Sequence, residues 1–380
     1  MGKLFSRRLL YDLATLLGLG ALIVMLAVYP AESVSAGKDG VALCLNIVVP
    51  SLLPFFVVSA LAVELGAADA LGVLAAPVMR VLFNVSGTCG AAWVLGFVGG
   101  YPVGAKTAIA LYSSGKIGKT ETERLLSFCN NSGPAFILGV VGAGVFSSGQ
   151  IGLLLYMVHA LSSVLIGVGF RWYGSSGVVS GQRSVVSGET GTADGGTRVK
   201  PPFGSALVSA VTSSVQSALN ISGFVIFFTV AVKLLFMKFD IPAEMRPLLT
   251  GFIELTSGVT NLRGSELPQA VKMAAFLLGW AGLSVHCQAM SFISAAGIRA
   301  GTYIVGKLLH GLLSAALVTL LFRVIPFRAE AAVYFAEQVQ RLAEFGTPER
   351  WLLSLGTSLL LALMFAAALF VSKSRKKNNL

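Results

Sequence analysis

Apolar segments long enough to cross a lipid bilayer follow one another along almost the whole chain. A transmembrane helix needs about 20 predominantly apolar residues, so the chain has room for about seven to ten spans. Two shorter segments, Leu71–Phe83 and Pro247–Leu262, are predicted to lie at the membrane interface or to enter only halfway. The long segments are Leu9–Tyr29, Val41–Leu65, Ala91–Tyr112, Leu125–Phe146, Gln150–Phe170, Ser205–Phe236, Met273–Gly297, Thr302–Phe322 and Trp351–Val371.

The composition agrees with an all-α polytopic membrane protein and excludes other classes. Of the 380 residues, 55% are hydrophobic and 12% are charged, whereas a soluble domain carries about 25% charged residues. This excludes a disordered chain, a nucleic-acid-binding protein with a basic face and an ordinary cytosolic enzyme. The cysteines and histidines are scattered without metal-ligand spacing. The sequence has no P-loop and no G-x-S-x-G motif, so no enzyme, cofactor or metal site is predicted.

The chain divides into five predicted regions. Residues 1–40 form an N-terminal span and loop, although Met1–Ala36 also resembles a signal peptide, with Val34-Ser-Ala36 as its cleavage site. Residues 41–172 form a first membrane repeat, and a Gly/Ser-rich flexible linker follows at 173–203. Residues 204–324 form a second repeat. The last region, 325–380, is predicted to hold an amphipathic helix, a final span and a basic tail.

The two repeats share an order of features: a span, a short helix, a glycine-rich apolar segment and a full span. The glycine-rich centres begin at Gly96 and Gly279, so the offset is 279 − 96 = 183 residues. Glycine and proline inside apolar segments break a helix and free backbone groups, which a membrane tolerates only where they are buried in protein or line a cavity. Ala91–Gly115 and Met273–Gly297 are therefore predicted to be re-entrant helical hairpins. Two kinked spanning helices are the alternative.

The segment count also predicts how the repeats are oriented. An odd number of spans separates corresponding segments, so the two repeats are inverted relative to each other. Inverted repeats whose broken helices meet at the midplane are typical of secondary transporters. The sequence leaves open the sidedness of the termini and the oligomeric state.

Polar residues within the apolar segments are the candidate site, because each is costly in a bilayer. The densest cluster is Asn130, Asn131, Ser132 and Gly133, before Pro134. The first predicted hairpin contributes a helix N-terminus that favours an anion, with Lys106 either adding a positive charge or only snorkelling to the interface. The remaining candidate substrate ligands are Gly99, Gly100, Tyr101, Pro102, Ser284, His286 and Gln288.

Coupling to H⁺ or Na⁺ would fall to a second set of polar residues. Glu254 is the only carboxylate in its apolar segment and Ser257 follows it closely. His286 lies beside the second predicted tip and is able to carry a proton. Pairing with a neighbouring cation is the alternative for Glu254, and packing is the alternative for His286.

Four motifs resemble a known family of membrane proteins. They are Pro50-Ser-Leu-Leu-Pro54, Gly99-Gly-Tyr-Pro-Val-Gly-Ala-Lys106, Phe128-Cys-Asn-Asn-Ser-Gly-Pro134 and Gly282-Leu-Ser-Val-His286. Together they are similar to the YlbJ-type sporulation integral membrane proteins of the nucleoside-recognition Gate group. That resemblance runs from about Val41 to Phe322 and implies a fold like that of the concentrative nucleoside transporters, with two re-entrant hairpins.

The resemblance also implies a role in sporulation. Its expected substrate is dipicolinate, a small aromatic dianion moved from the mother cell into the forespore across the outer forespore membrane. Tyr101 would stack on the ring, and Lys106 would attract the charge. The rival expectations are a transporter of another solute, such as a nucleoside, and a non-transporting protein of spore-envelope assembly. The expected partners are thus a small anion and the lipid bilayer, with no nucleic acid.

Overall fold

The computed structural model describes residues 2–174 and 201–324, and every regular element in these two ranges is a helix. Five helices are long and apolar enough to cross a membrane, or six if a bent pair is counted as one span. The helices are α1 (Gly2–Val28), α2 (Pro30–Leu43), α3 (Val49–Glu64), α4 (Ala67–Phe83), α5 (Gly90–Gly99), α6 (Val103–Ser113), α7 (Lys119–Cys129), α8 (Gly149–Gly169), α9 (Phe203–Phe236), α10 (Arg246–Ile253), α11 (Leu255–Thr260), α12 (Leu267–Trp280), α13 (Gly282–Ala295) and α14 (Gly301–Val324), with π-helical stretches at Cys44–Val48 and Ala135–Val145.

Two long elements form a scaffold on one side of the protein. The π-helical stretch Cys44–Val48 joins α2 to α3, so that Pro30–Glu64 reads as one apolar span. This span packs along α9. Gly40 lets the two backbones approach, because a Cβ at that position would lie 2.9 Å from the Cα of Ile226. The scaffold is mostly apolar, and the buried charged residues of the described part of the chain lie on the other elements.

The first predicted hairpin is present as α5 and α6. The two helices pack against each other, and the backbone reverses at Gly100, whose φ of +72° suits glycine. A Cβ on Gly96 or Gly104 would overlap the carbonyl oxygen of Cys129. These two glycines therefore let the hairpin rest directly on the end of α7. The sequence prediction of a helical hairpin within Ala91–Gly115 is confirmed.

The second hairpin is not where the sequence predicted it. It is formed by α10 and α11, which pack against each other, whereas α12 and α13 continue as one broken span over Leu267–Ala295. The α10–α11 turn is tight because Gly258 lies against Gly251, where a Cβ would overlap backbone. The predicted hairpin in Met273–Gly297 was therefore wrong. The glycines there do not form a turn; Gly279 instead lets α12 pack closely against Gly311 of α14.

When the second hairpin is assigned to α10 and α11, the two halves have the same order of elements. Each half runs from a hairpin (α5–α6, α10–α11) to a broken helix (α7 with Ala135–Val145, α12–α13) and then to a full span (α8, α14). The hairpin turns at Gly100 and Glu254 give an offset of 254 − 100 = 154. The buried His159 and His310 give 310 − 159 = 151, and each begins the pattern H-x-L-x-S. The offset of 183 residues paired Gly96 of a hairpin helix with Gly279 of a broken span, and these two elements do not correspond.

Several sequence predictions fall outside the described residues. Most of the 173–203 linker lies there, as do the amphipathic helix, the last span and the basic tail of 325–380. Within the described part, α1 contains the apolar stretch Asp12–Val28, which is shorter than the candidate spans.

The close approach within the second hairpin generates a stability prediction. Gly258→Ala should destabilise the protein by about 1–3 kcal/mol, the usual effect of overpacking a tight contact. Gly223→Ala is the matched control, because a Cβ on Gly223 of α9 meets nothing within 4 Å. Thermal unfolding in detergent checks both variants. Equal melting temperatures for the two variants would contradict the tight α10–α11 contact.

Candidate substrate cavity

The two hairpin turns and the two helix breaks meet around one cavity of about 40 Å³. Polar and charged groups come from the hairpins and broken helices, and the scaffold supplies an apolar wall. Ligand sites in proteins commonly combine apolar walls with a few placed polar groups in this way. The lining residues are Val48, Leu52, Gly100, Tyr101, Ser132, Gly133, Phe136, Ile221, Val225, Glu254, Leu255, Thr256, Ser284, Val285 and Gln288.

The first helix break is held open by the side chain of Asn130. Its backbone is extended, with φ −96° and ψ 90°, so α7 ends there. The amide oxygen accepts a hydrogen bond from the backbone N–H of Ala105 at 3.4 Å, in the first turn of α6. The amide nitrogen donates to the hydroxyl of Tyr303 at 3.3 Å. Asn130 therefore ties the break to the first hairpin and to α14, but it does not line the cavity itself.

The next two residues carry the unpaired polar atoms of the break. Asn131 donates to the carbonyl of Phe128 at 2.9 Å, and its amide oxygen has no partner. The backbone N–H of Ser132 donates to Nε2 of His159 at 3.0 Å. The Ser132 hydroxyl is buried, has no partner and belongs to a residue that lines the cavity. Buried polar atoms of this kind call for a ligand or water.

Lys307 is a buried lysine that the sequence analysis did not identify as a candidate site residue. It lies in the second turn of α14 with 1% of its surface exposed. Its ammonium group donates to the carbonyl of Asn130 at 3.0 Å and lies 5.0 Å from the ring centre of Tyr101. A lysine inside an apolar span was the available signal, because an intramembrane ionisable residue marks a functional site by default.

The second hairpin places Glu254 at its turn. The residue is 1% exposed and lines the cavity. Its carboxylate accepts hydrogen bonds from the backbone N–H groups of Thr256 at 3.1 Å and Ser257 at 2.6 Å, so it caps the N-terminus of α11. The Ser257 hydroxyl shares a hydrogen bond of 3.2 Å with Thr229 of α9, which connects the hairpin to the scaffold.

The second helix break lies against the second hairpin. Gly282 has φ +77°, and a Cβ there would lie 3.0 Å from the backbone nitrogen of Leu255. The indole N–H of Trp280 donates to the carbonyl of Phe252 at 2.9 Å, at the end of α10. Beyond the break, Ser284 and Gln288 project from α13 to line the cavity. This arrangement mirrors the first half, where Gly100 of the hairpin lies against Gly133 of the break.

All three histidines of the chain are buried close to these breaks. His286 shares a hydrogen bond of 3.1 Å with the Tyr303 hydroxyl through Nδ1, and its Nε2 has no partner. The rings of His159 and His310 lie 4.3 Å apart, and His310 donates to the carbonyl of His159 at 2.9 Å. Through its bond to the backbone N–H of Ser132, His159 also holds the first helix break in place.

The structure brings together only part of the predicted site. Lys106 stands apart, because its side chain is exposed on α6. The predicted residues that line the cavity are Gly100, Tyr101, Ser132, Gly133, Glu254, Ser284 and Gln288. The predicted residues outside its lining are Gly99, Pro102, Lys106, Asn130, Asn131, Ser257 and His286.

Hairpins, broken helices and a shared central cavity define the class: an all-helical integral membrane protein built from two repeats. A sequence model of the Gate family, described as nucleoside recognition, matches residues 45–149. The chain is 35% identical over 322 residues to the sporulation integral membrane protein YlbJ of Bacillus subtilis (strain 168), covering 78% of this chain and 79% of that protein. The chain therefore belongs to the YlbJ family of sporulation integral membrane proteins. No solved structure matches it.

The hydrogen bonds around Tyr303 generate a second prediction. Tyr303→Phe removes the hydroxyl that Asn130 and His286 share and leaves buried polar atoms unpaired, which costs about 1–3 kcal/mol. Tyr156→Phe is the matched control, because Tyr156 is half-buried and lies outside the cavity. Thermal unfolding in detergent measures the difference. A Tyr303→Phe melting temperature equal to that of the control would show that the hydroxyl does not support the break.

Proposed function

We propose that this chain is a secondary transporter that moves a small anionic aromatic solute across a membrane. The proposed solute is dipicolinate, and the proposed site is the outer forespore membrane during sporulation. The observation that carries the proposal is the cavity between two hairpin turns and two helix breaks. Transporters bind their substrates at such breaks, because half-helix termini there offer unpaired backbone groups near the midplane.

The walls of the cavity suggest how access could alternate. The scaffold contributes Val48, Leu52, Ile221 and Val225, which are all apolar and make no directional bonds to the opposite wall. The polar wall belongs to the hairpins and broken helices, which are tied to one another by the hydrogen bonds described above. Sliding along this apolar wall breaks no hydrogen bond within the cavity lining, and in the described part of the chain only the bond between Ser257 and Thr229, outside the lining, has to break or rearrange. We therefore expect the polar body to move against the scaffold and to carry the solute with it.

The chemistry around Tyr101 supports an aromatic anion. Its ring lies at the cavity and is able to stack on a planar solute. Lys307 lies directly behind the ring and is the buried cation nearest to it in the part of the chain that the structure describes. The helices that begin at Val103, Ala135 and Gly282 start at or beside lining residues, and helix N-termini favour negative charge. Membership of a sporulation family agrees with a spore solute.

The description of the Gate family favours a second candidate, a nucleoside. Nucleosides are aromatic and neutral, so they would use Tyr101, Ser284 and Gln288 but would not need the charge of Lys307. Uptake of labelled dipicolinate and of a labelled nucleoside into vesicles that contain the purified chain separates the two candidates. Accumulation of the nucleoside alone would refute the dipicolinate assignment.

Lys307 provides the sharper test of the anion. Lys307→Met should reduce dipicolinate uptake at least tenfold, because it removes the positive charge behind the aromatic ring. Lys106→Met should keep near-normal uptake, since that side chain is exposed and lies outside the cavity. Spore dipicolinate content in a deletion strain complemented with each variant gives the same comparison in cells.

Controls show whether a variant loses uptake only because less folded protein is present in the membrane. Membrane amount and melting temperature are measured for each variant, because Lys307 also contacts Asn130. Gln288→Leu is a second variant that changes the cavity wall and leaves that contact intact. Normal uptake by both Lys307→Met and Gln288→Leu would show that the substrate binds outside this cavity. Loss of uptake in Lys106→Met alone would show that the anion binds beside Lys106 on the first hairpin.

A further inference from the structure

The cavity lining carries a carboxylate, which is unfavourable for binding an anionic solute. Among the described residues that line the cavity, Glu254 is the only one with a charged side chain. Lys307 is not part of the lining and lies behind Tyr101. A dianion that enters the cavity therefore meets a buried carboxylate. Like charges in a site of low dielectric repel strongly, and a carboxylate in that position is neutralised when a proton is supplied.

The surroundings of Glu254 supply no compensating positive charge. Its oxygens accept hydrogen bonds from the backbone N–H groups of Thr256 and Ser257, and the hydroxyls of the same two residues also bond to it. No salt bridge involving Glu254 is present among the described residues, and the side chain is 1% exposed. A hydroxyl can rotate to accept a hydrogen bond from a protonated carboxyl group, whereas a metal cation needs a shell of several oxygen ligands.

We propose that Glu254 is the proton-coupling group of this transporter, and this proposal rests on the transport function proposed above. A proton from the aqueous phase binds a carboxylate oxygen of Glu254 and removes its charge. The dianion then enters the cavity beside the neutral carboxyl group. After the polar body has moved, the solute leaves and the proton returns to water on the other side. No other bond forms or breaks.

The position of Glu254 links protonation to the moving parts. The ionised carboxylate caps α11, whose N-terminus carries a positive partial charge. Protonation weakens that cap at the turn of the second hairpin. The same turn lies against Gly282 of the second helix break, and Ser257 bonds to Thr229 of the scaffold. Proton binding therefore acts where the hairpin, the broken helix and the scaffold meet.

The titratable groups on the surrounding elements do not replace Glu254. The thiol of Cys44 is within electrostatic range of the carboxylate and is neutral as a thiol. Tyr101 lines the opposite part of the cavity, and His286 bonds to Tyr303. The other titratable side chains on α9, α12 and α13 are Lys233, Lys272 and Cys287, and α10 begins with Arg246. None of these residues lines the cavity.

The test compares driven accumulation with exchange in vesicles that contain the full chain. The wild type should accumulate labelled dipicolinate several-fold when the outside is acidic, and a protonophore should abolish the effect. Glu254→Gln keeps the size and an acceptor oxygen but cannot take up a proton. This variant should no longer accumulate dipicolinate when the outside is acidic. It should still exchange labelled dipicolinate outside the vesicles for unlabelled dipicolinate inside them. Glu64→Gln is the matched control, because Glu64 is exposed at the end of α3.

A binding measurement makes the test independent of transport. Dipicolinate added to purified protein in weakly buffered detergent should cause proton uptake by the wild type and by Glu64→Gln, but not by Glu254→Gln. Proton uptake that survives in Glu254→Gln overturns the proposal, as does acid-driven accumulation by that variant or accumulation driven by a Na⁺ gradient alone. Wild-type protein that neither binds nor exchanges dipicolinate refutes the proposed function instead.

Discussion

Backbone groups freed at helix breaks in a membrane must find partners within the protein, and the rest of this structure depends on that constraint. Several helix ends near the cavity are capped by a side chain from another element. Lys307 donates to Asn130 at the end of α7, and the Tyr101 hydroxyl donates to Leu278 near the end of α12. Trp280 caps α10 within the second half. Because the first two caps cross between the two halves, neither half completes its breaks alone.

This exchange of caps also explains where the charges lie. A lysine is suited to a helix C-terminus and a carboxylate to a helix N-terminus, because the partial charges at the two ends are opposite. Lys307 accordingly sits at the end of α7, and Glu254 sits at the start of α11. The same positions place both charges beside the cavity, one in its wall and one behind Tyr101. Structural stabilisation and the proposed handling of charge thus use the same two residues.

The sequence predicted the class, the first hairpin and the importance of the polar cluster at Asn130–Gly133, because glycine, proline and asparagine in an apolar segment have few other interpretations. It misplaced the second hairpin because two kinds of glycine look alike. Gly251 and Gly258 allow helices to fold back, whereas Gly279 allows α12 to contact α14. Only the contact partner distinguishes them. Lys307 was different, since its position inside an apolar span was a signal that sequence reasoning already had.

The repeat itself offered a further signal in the pattern that begins at His159 and recurs at His310. Two buried imidazoles from corresponding positions of the two halves lie 4.3 Å apart with their rings tilted by 32°, so they mark where the repeats meet. One of them accepts the backbone N–H of Ser132, which holds the unwound segment beside the cavity. The contact between the repeats and the geometry of the proposed site are therefore coupled. A movement that separates α8 from α14 would change the position of Ser132, and with it the polar wall that the solute meets.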